Sequence, residues 1–425
     1  MKTTELIDHI NNGGLDGCFR DLYMDEERIR RQKNRYTEML QTLEEEAPGL
    51  SIHLFSAPGR SEIGGNHTDH NQGEVLAAAI NADIIAAAGK ADNGSILIIS
   101  KGYRPIRLNA GRLERIDREK GNSSALIRGV LAKLKAEGYR VGGFTACLTS
   151  DVISGSGISS SAAFETVIGT IISGLYNDMK IPLETIAIAG QYAENNYFGK
   201  PCGLMDQMAC SVGSLCHIDF AVPGKPVVER IEADLSKLGY SLCITDTGGS
   251  HAKLTPLYAS IPEEMKNIAS FFGKPVLREV SEFEVADNIP KLRELFGDRA
   301  VLRALHFYEE NKRVRREADA LKKGDMESFL KAFRESARSS FEYLQNVYPP
   351  TEVKSQNTAL ALMAGELVLR GHGGVRIHGG GFAGTVQAFV PAYTALEYRA
   401  EMNRIFGENA CSIFLVRNCG GTMII

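Results

Sequence analysis

No run of eighteen apolar residues occurs anywhere in the 425-residue sequence, so no membrane span is expected. The opening stretch, Met1 to Asn12, is polar and charged and lacks the apolar core of a signal peptide. A basic excess is missing too. Lys and Arg number 48 against 52 Asp and Glu, a formal net charge of −4, and no basic cluster offers itself to a nucleic-acid backbone. The eight cysteines contain no Cys-x-x-Cys pair. Most sit in apolar or small-residue contexts such as Ala146-Cys147-Leu148, which reads as buried thiols in a reducing compartment, not a disulfide frame or zinc site. The chain therefore reads as cytoplasmic. Internal repeats and low-complexity tracts are absent as well, and no protein partner is implied. What remains is an ordinary globular composition, 44% apolar and 24% charged, in a chain long enough for two domains.

Periodicity gives a coarse α/β order. Residues 25–43 are rich in Glu, Arg, Lys, Gln and Leu and predict a helix ended by Pro48-Gly49. A strand is predicted over 50–57, then a polar loop, then apolar β-compatible runs over 75–88 and 95–100 separated by a turn at 91–94. Residues 124–137 predict a helix and 142–148 a strand. Apolar residues at 164, 167, 168, 171, 172 and 175 have helical spacing, and 183–197 forms another helix broken by Gly199-Lys200-Pro201. The second half alternates charged helices (263–271, 310–323 and 326–345) with strands such as 241–245 and 385–390. A boundary in the region 215–240 divides the chain into domains 1–215 and 216–425.

Three segments concentrate chemistry. Pro58-Gly59-Arg60-Ser61-Glu62-Ile63-Gly64-Gly65-Asn66-His67-Thr68-Asp69-His70-Asn71 packs one cation, two carboxylates, two imidazoles and two amides into a dozen residues. Such groups are costly to bury without partners, and a hydroxyl-rich ligand such as a sugar would supply them; a solvated loop with an Asn/Asp turn is the competing reading. The pair His67-x-x-His70 is too short for metal ligation by itself. Gly155-Ser156-Gly157-Ile158-Ser159-Ser160-Ser161-Ala162 at a helix start is suited to an anion, because glycines admit close backbone approach and free N–H groups favour negative charge. It is neither a P-loop nor a dinucleotide fingerprint, and a serine-rich helix cap is the alternative. Cys202-Gly203-Leu204-Met205-Asp206-Gln207 places a carboxylate after a Pro/Gly break, as an N-cap or a positioned base, and Glu194 upstream is a metal ligand or a surface acid. Gly379-Gly380-Gly381-Phe382-Ala383-Gly384 matches G-x-G-x-x-G, yet a strand follows it where that motif requires a helix, so it predicts close backbone packing instead.

In that order these segments resemble the galactokinases of the GHMP small-molecule kinase superfamily. Gly59 to Gly73 follows the galactokinase signature, Gly155 to Ala162 its serine-rich loop, Cys202 to Gln207 its Cys-Gly-Ile-Met-Asp-Gln, and Gly379 to Gly384 its glycine-rich third motif. The resemblance implies a fold of two α/β domains with the active site between them. It implies an ATP-dependent sugar 1-kinase, galactose first, with Mg²⁺ as cofactor. It further implies Asp206 as the catalytic aspartate with Arg60 as its charged partner. Sugar contacts would come from Glu62, Asn66, His67, Asp69, Gly203 and Tyr258. The ATP phosphates would lie on Gly155, Ser156, Gly157, Ile158, Ser159, Ser160 and Ser161, and Ser161 and Glu194 would ligate Mg²⁺.

Departures from the pattern bear on the substrate. The signature Asn is Glu62, its Glu is Asn66, and its Tyr is His70. The replaced Glu contacts the distal hydroxymethyl in the family, so an amide there would no longer repel a carboxylate, and a uronic acid becomes a second substrate class. The chain has no Trp, so the family's adenine-side Trp is absent, and Asn122 to Leu126 fills that region. A non-catalytic sugar sensor is the reading from another class. Such relatives lose parts of the phosphate loop or the base, whereas Ser161, Glu194, Asp206 and Arg60 are all present here.

Overall fold

The computed structural model describes residues 1–152, 157–249 and 254–425. Two sheets organise the chain. The larger begins with β1 (His53–Gly64) and β2 (Glu74–Lys90) and continues through β3 (Ser95–Ser100), β4 (Ile106–Asn109) and β5 (Phe144–Ser150). Two later strands, β6 (Leu215–Asp219) and β7 (Val227–Ile231), extend it from the near half of β2. The smaller sheet contains β8 (Tyr240–Asp246), β9 (Gly374–Ile377), β10 (Thr385–Pro391) and β11 (Cys411–Phe414), in the order β11-β8-β10-β9, all antiparallel. The last strand, β12 (Thr422–Met423), returns to the larger sheet beside β1, whose order is β12-β1-β2-β5-β3-β4. Among the described residues only β3 and β5 pair in parallel.

Alternation along β2 explains its nearly continuous apolar sequence. Ile85 and Ala87 pack with the N-terminal helices α1 (Thr3–Asn11), α2 (Asp16–Tyr23) and α3 (Glu26–Glu46). Ile84, Ala86 and Ala88 face the opposite way, toward α4 (Ser123–Ala136) and α5 (Ser160–Asn177). Successive side chains point to opposite faces of a strand, so a sheet covered on both faces requires apolar residues at every position. The same sandwiching makes α5 apolar on nearly all sides, from Ala162 through Leu175. Its neighbours are α6 (Leu183–Ala193), prolonged by a π turn over Glu194–Phe198, and α7 (Met205–Val212).

The rest of the chain builds around the smaller sheet. Helices α8 (Thr255–Phe271), α9 (Glu282–Asp287), α10 (Ile289–Phe296) and the long α11 (Asp298–Lys322) share one core. On α12 (Met326–Ser339), Phe329 and Phe333 meet Phe389 of β10 edge-on, with ring centroids 4.8 and 5.0 Å apart. The alternate residues Val386, Ala388 and Val390 face α13 (Asn357–Leu369) and α14 (Ala395–Phe406). Cys147, Cys210, Cys216, Cys243 and Cys411 are buried, and no disulfide forms among the described residues.

One expectation is corrected here. The first half of the polar signature is strand, not loop: β1 runs through Pro58, Gly59, Arg60 and Glu62 to Gly64. Pairing with β2 overrides the turn propensity of Pro58-Gly59, and the misfit is absorbed by register shifts between Pro58 and Arg60 and between Glu62 and Gly64. Arg60 and Glu62 consequently project from a rigid sheet.

Candidate active site

Arg60 and Asp206 meet as a forked ion pair. From β1, Arg60 Nε and Nη2 donate to Asp206 Oδ1 and Oδ2 at 2.7 and 2.8 Å, both oxygens of a carboxylate in the first turn of α7. Such bidentate geometry fixes orientation as well as charge. Arg60 is 7% exposed and Asp206 32%, so the cation is sealed and the acid keeps an open side. Burial pushes the Asp206 carboxyl up, but the Arg60 guanidinium and the hydrogen bonds from Arg60 and Ser159 outweigh it and hold it below the usual carboxylate range. Asp206 is therefore ionised at neutral pH.

Arg60 also locates the end of the serine-rich loop. Its Nη1 donates to the Gly157 carbonyl at 2.6 Å, and its backbone N–H to the Ile158 carbonyl at 3.2 Å. Gly157 has φ +74°, and a β-carbon on it would lie 2.3 Å from Thr385 Oγ1 at the start of β10. Only glycine fits between those neighbours. Ser159 donates its hydroxyl to Asp206 Oδ2, and Ser160 opens α5. The Ile158 side chain is buried in the larger core. Gly155 and Ser156 lie outside the described residues.

Ser161, on the first turn of α5, meets a carboxylate from the π turn that follows α6. Ser161 Oγ donates to Glu194 Oε1 at 3.2 Å, and Lys200 Nζ reaches the same oxygen at 3.1 Å. The other oxygen, Oε2, accepts from Gln207 Nε2 at 2.9 Å, and that amide also donates to Glu165 Oε2 at 3.0 Å. Glu165 is fully buried; burial and then the neighbouring Glu194 charge push its carboxyl well above the usual range. Glu165 Oε1 and Gln207 Oε1 have no hydrogen-bond partner among the described residues. A hydroxyl and a carboxylate oxygen at a helix start form the kind of partial oxygen set that Mg²⁺ completes with water and phosphate. Among the described residues no three His, Cys, Asp or Glu converge as a self-sufficient metal cage.

The sugar-side candidates fall into two groups. Asp69 and Gly203 are pressed together: a β-carbon on Gly203 would lie 1.7 Å from Asp69 Oδ2. His67, at φ +61°, shares a hydrogen bond of 3.0 Å between Nε2 and the Gly380 carbonyl. Burial, then the neighbouring His70, lowers its pKa to about 3, so the ring is neutral and Nε2–H is the donor. Tyr258 on α8 donates its hydroxyl to the Gly381 carbonyl at 2.9 Å and meets Phe382 edge-on. The glycine-rich segment is thus a backbone platform against which both aromatic residues lie.

Glu62 and Asn66 are packed into the scaffold behind the signature. Asn66 is 0% exposed, and all its hydrogen-bonding positions are occupied. Its Nδ2 donates to Glu62 Oε1 at 2.9 Å and to the Gly379 carbonyl at 2.7 Å; its Oδ1 accepts from Asn346 at 2.7 Å and Ser340 at 3.3 Å. An amide has two donors and two acceptor positions, so nothing is left for a ligand. Glu62 is buried too and receives Arg376 Nη2 at 2.5 Å. These residues brace the signature from behind.

Sequence reasoning missed most of that bracing. Arg376, Asn346 and Glu310, whose Oε1 accepts from the Gly65 backbone N–H at 3.2 Å, come from distant segments with no local signal. Gln207 stands inside a quoted motif, and Lys200 in what the sequence offered only as a helix break.

Residues 43–90 match the galactokinase galactose-binding signature, and residues 125–214 match the GHMP kinases N terminal domain. The structure of Lactococcus lactis galactokinase complexed with galactose is 23% identical and superposes with a TM-score of 0.76, covering 90% of this chain and 98% of that one. Methanococcus jannaschii mevalonate kinase is 16% identical with a TM-score of 0.60, covering 86% and 98%. The chain thus carries a galactokinase galactose-binding signature and, after it, a GHMP kinases N terminal domain, within a fold similar to that of these kinases.

Proposed function

We propose that this sugar kinase transfers the γ-phosphoryl group of ATP to the anomeric hydroxyl of a hexose, galactose foremost. The observation that carries this reading is the ionised Asp206, clamped by Arg60 and bonded by Ser159 at the mouth of α5. Phosphoryl transfer needs aligned reactants, charge neutralisation at the phosphates and an acceptor for the hydroxyl proton. Asp206 orients the attacking hydroxyl and receives its proton. Arg60 keeps the carboxylate ionised and fixes its direction. Asp69, positioned by Gly203, and His67, positioned by Gly380, hold the sugar. The α5 N-terminus and the serine hydroxyls receive the phosphates.

Ser161 and Glu194 are the residues that would hold Mg²⁺, which supplies neutralisation of phosphate charge when bound. The galactose-binding signature over 43–90 favours galactose among sugars. A cytoplasmic setting is supported by the free thiols, and no described helix is long and apolar enough to cross a membrane.

The test is an ATP-turnover screen with Mg²⁺ over hexoses, pentoses and uronic acids. Galactose should rank first, with galactose 1-phosphate as product. A uronic acid ranking first would reassign the substrate, and tight sugar binding without turnover on any acceptor would identify a sensor.

A further inference from the structure

We infer that Lys200 is a stand-in cation for the divalent metal, occupying the Glu194 oxygen that the metal would take and competing with it. The inference rests on the reading of Ser161 and Glu194 as metal ligands. Three facts lead to it. Glu194 is 3% exposed, yet its Oε1 faces Ser161 and Lys200 together, so one oxygen is shared by the phosphate-side hydroxyl and an ammonium. The lysine is tethered at its base and free at its head: the backbone N–H groups of Gly199 and Lys200 both donate to the Glu194 carbonyl, at 2.9 and 3.1 Å, while the side chain is 63% exposed. Its flexible four-carbon stem can leave Glu194 without moving the chain. Finally, Oε1 is the Glu194 oxygen that faces Ser161, so a metal held by both residues would meet the ammonium there and displace it.

Charge explains why such a residue is useful. Glu194 and Asp206 are both carboxylates beside a site meant for triphosphate, and unneutralised they would repel it. A lysine at Glu194 supplies one positive charge before any metal arrives. Its removal should weaken nucleotide binding without metal, and should leave binding with metal unchanged or tighter because a competitor has gone.

The deciding experiment is ATP titration by calorimetry in EDTA and in saturating Mg²⁺, for the wild type, Lys200→Met and Glu194→Gln. The metal dependence is the ratio of the two dissociation constants. For Lys200→Met that ratio should rise, by up to about tenfold (a tenfold change being about 1.4 kcal/mol), chiefly through loss of affinity in EDTA. An unchanged ratio, or an equal loss in both buffers, overturns the inference. Glu194→Gln separates the two ideas. If it collapses the metal dependence while Lys200→Met leaves the ratio alone, the ligand reading stands and the stand-in role falls. If it keeps the wild-type ratio, Glu194 is not a metal ligand and the inference falls with that reading.

Discussion

Gly203 touches Asp69 so closely that even a methyl group between them has no room, its β-carbon falling 1.7 Å from Asp69 Oδ2. Two motifs far apart in sequence are thereby locked face to face. Gly203→Ala should displace the Asp69 carboxylate and raise the KM for sugar at least tenfold, the scale of a misplaced positioning contact, while the KM for ATP stays within about twofold. Steady-state kinetics with each substrate varied in turn checks this; parallel rises in both constants would mean a general distortion instead.

Asp206→Asn should lower kcat by about 10²–10⁴-fold, because a positioned base contributes on that scale. It also leaves the nearly buried Arg60 with a neutral partner. A melting temperature lowered together with kcat is therefore expected, and ATP affinity should change little. A loss in kcat smaller than about tenfold would remove Asp206 from proton transfer.

Glu62 and Asn66 are hydrogen-bonded to each other at 2.9 Å, one acid and one amide in the reverse order of the galactokinase signature. Asn66→Glu alone would set two carboxylates side by side and leave the Gly379 carbonyl without its donor. Glu62→Asn alone would strip Arg376 of its carboxylate. Each should destabilise by about 1–3 kcal/mol or more. The double exchange restores one acid and one amide, so it should be less damaging than the sum of the singles by about 1–3 kcal/mol, as measured by denaturant unfolding. Simple additivity would show that the two side chains do not act as a pair.

The pH dependence has two signs. Asp206 is held below the usual carboxylate range, so its contribution is present above that range and lost only as pH falls through the lowered value. Glu62 behaves oppositely: burial, against the pull of Arg376 and Arg60, raises it from 4.5 to about 7. Its favourable contribution is full below the unfolded value and is lost as pH rises through about 7. The wild-type melting temperature should accordingly decline between about pH 5 and 7.5, and Glu62→Gln, which cannot titrate, should flatten that slope. A slope identical in both proteins would place the titration elsewhere.

What the sequence made legible was local. The spacing of residues 164 to 175 forecast α5, and the β-branched run at 95–100 coincides with β3, because those patterns record which face meets a core. The pairing of Arg60 with Asp206 came through motif resemblance, not through periodicity. The hydrogen-bond partners of Asn66 were not legible there, for a physical reason. Whether an amide faces a ligand or its own scaffold depends on Asn346, Ser340 and Gly379, whose approach is a tertiary event with no trace near residue 66. Lys200 was invisible in the same way: its role follows from the π turn that brings it back onto Glu194.

Asp206 and Gln207 are consecutive residues of one short helix; Asp206 pairs with Arg60 and Gln207 steadies Glu194, the two carboxylates that the proposed mechanism assigns to the acceptor and the metal. Covalent adjacency makes α7 a single mechanical part. Any repacking beneath it, at Met208 or Ala209, shifts donor-side and acceptor-side geometry together. Efforts to broaden the acceptor range should therefore leave α7 untouched and vary the segments that meet the sugar independently, because a change tolerated by one half of the chemistry will be vetoed by the other.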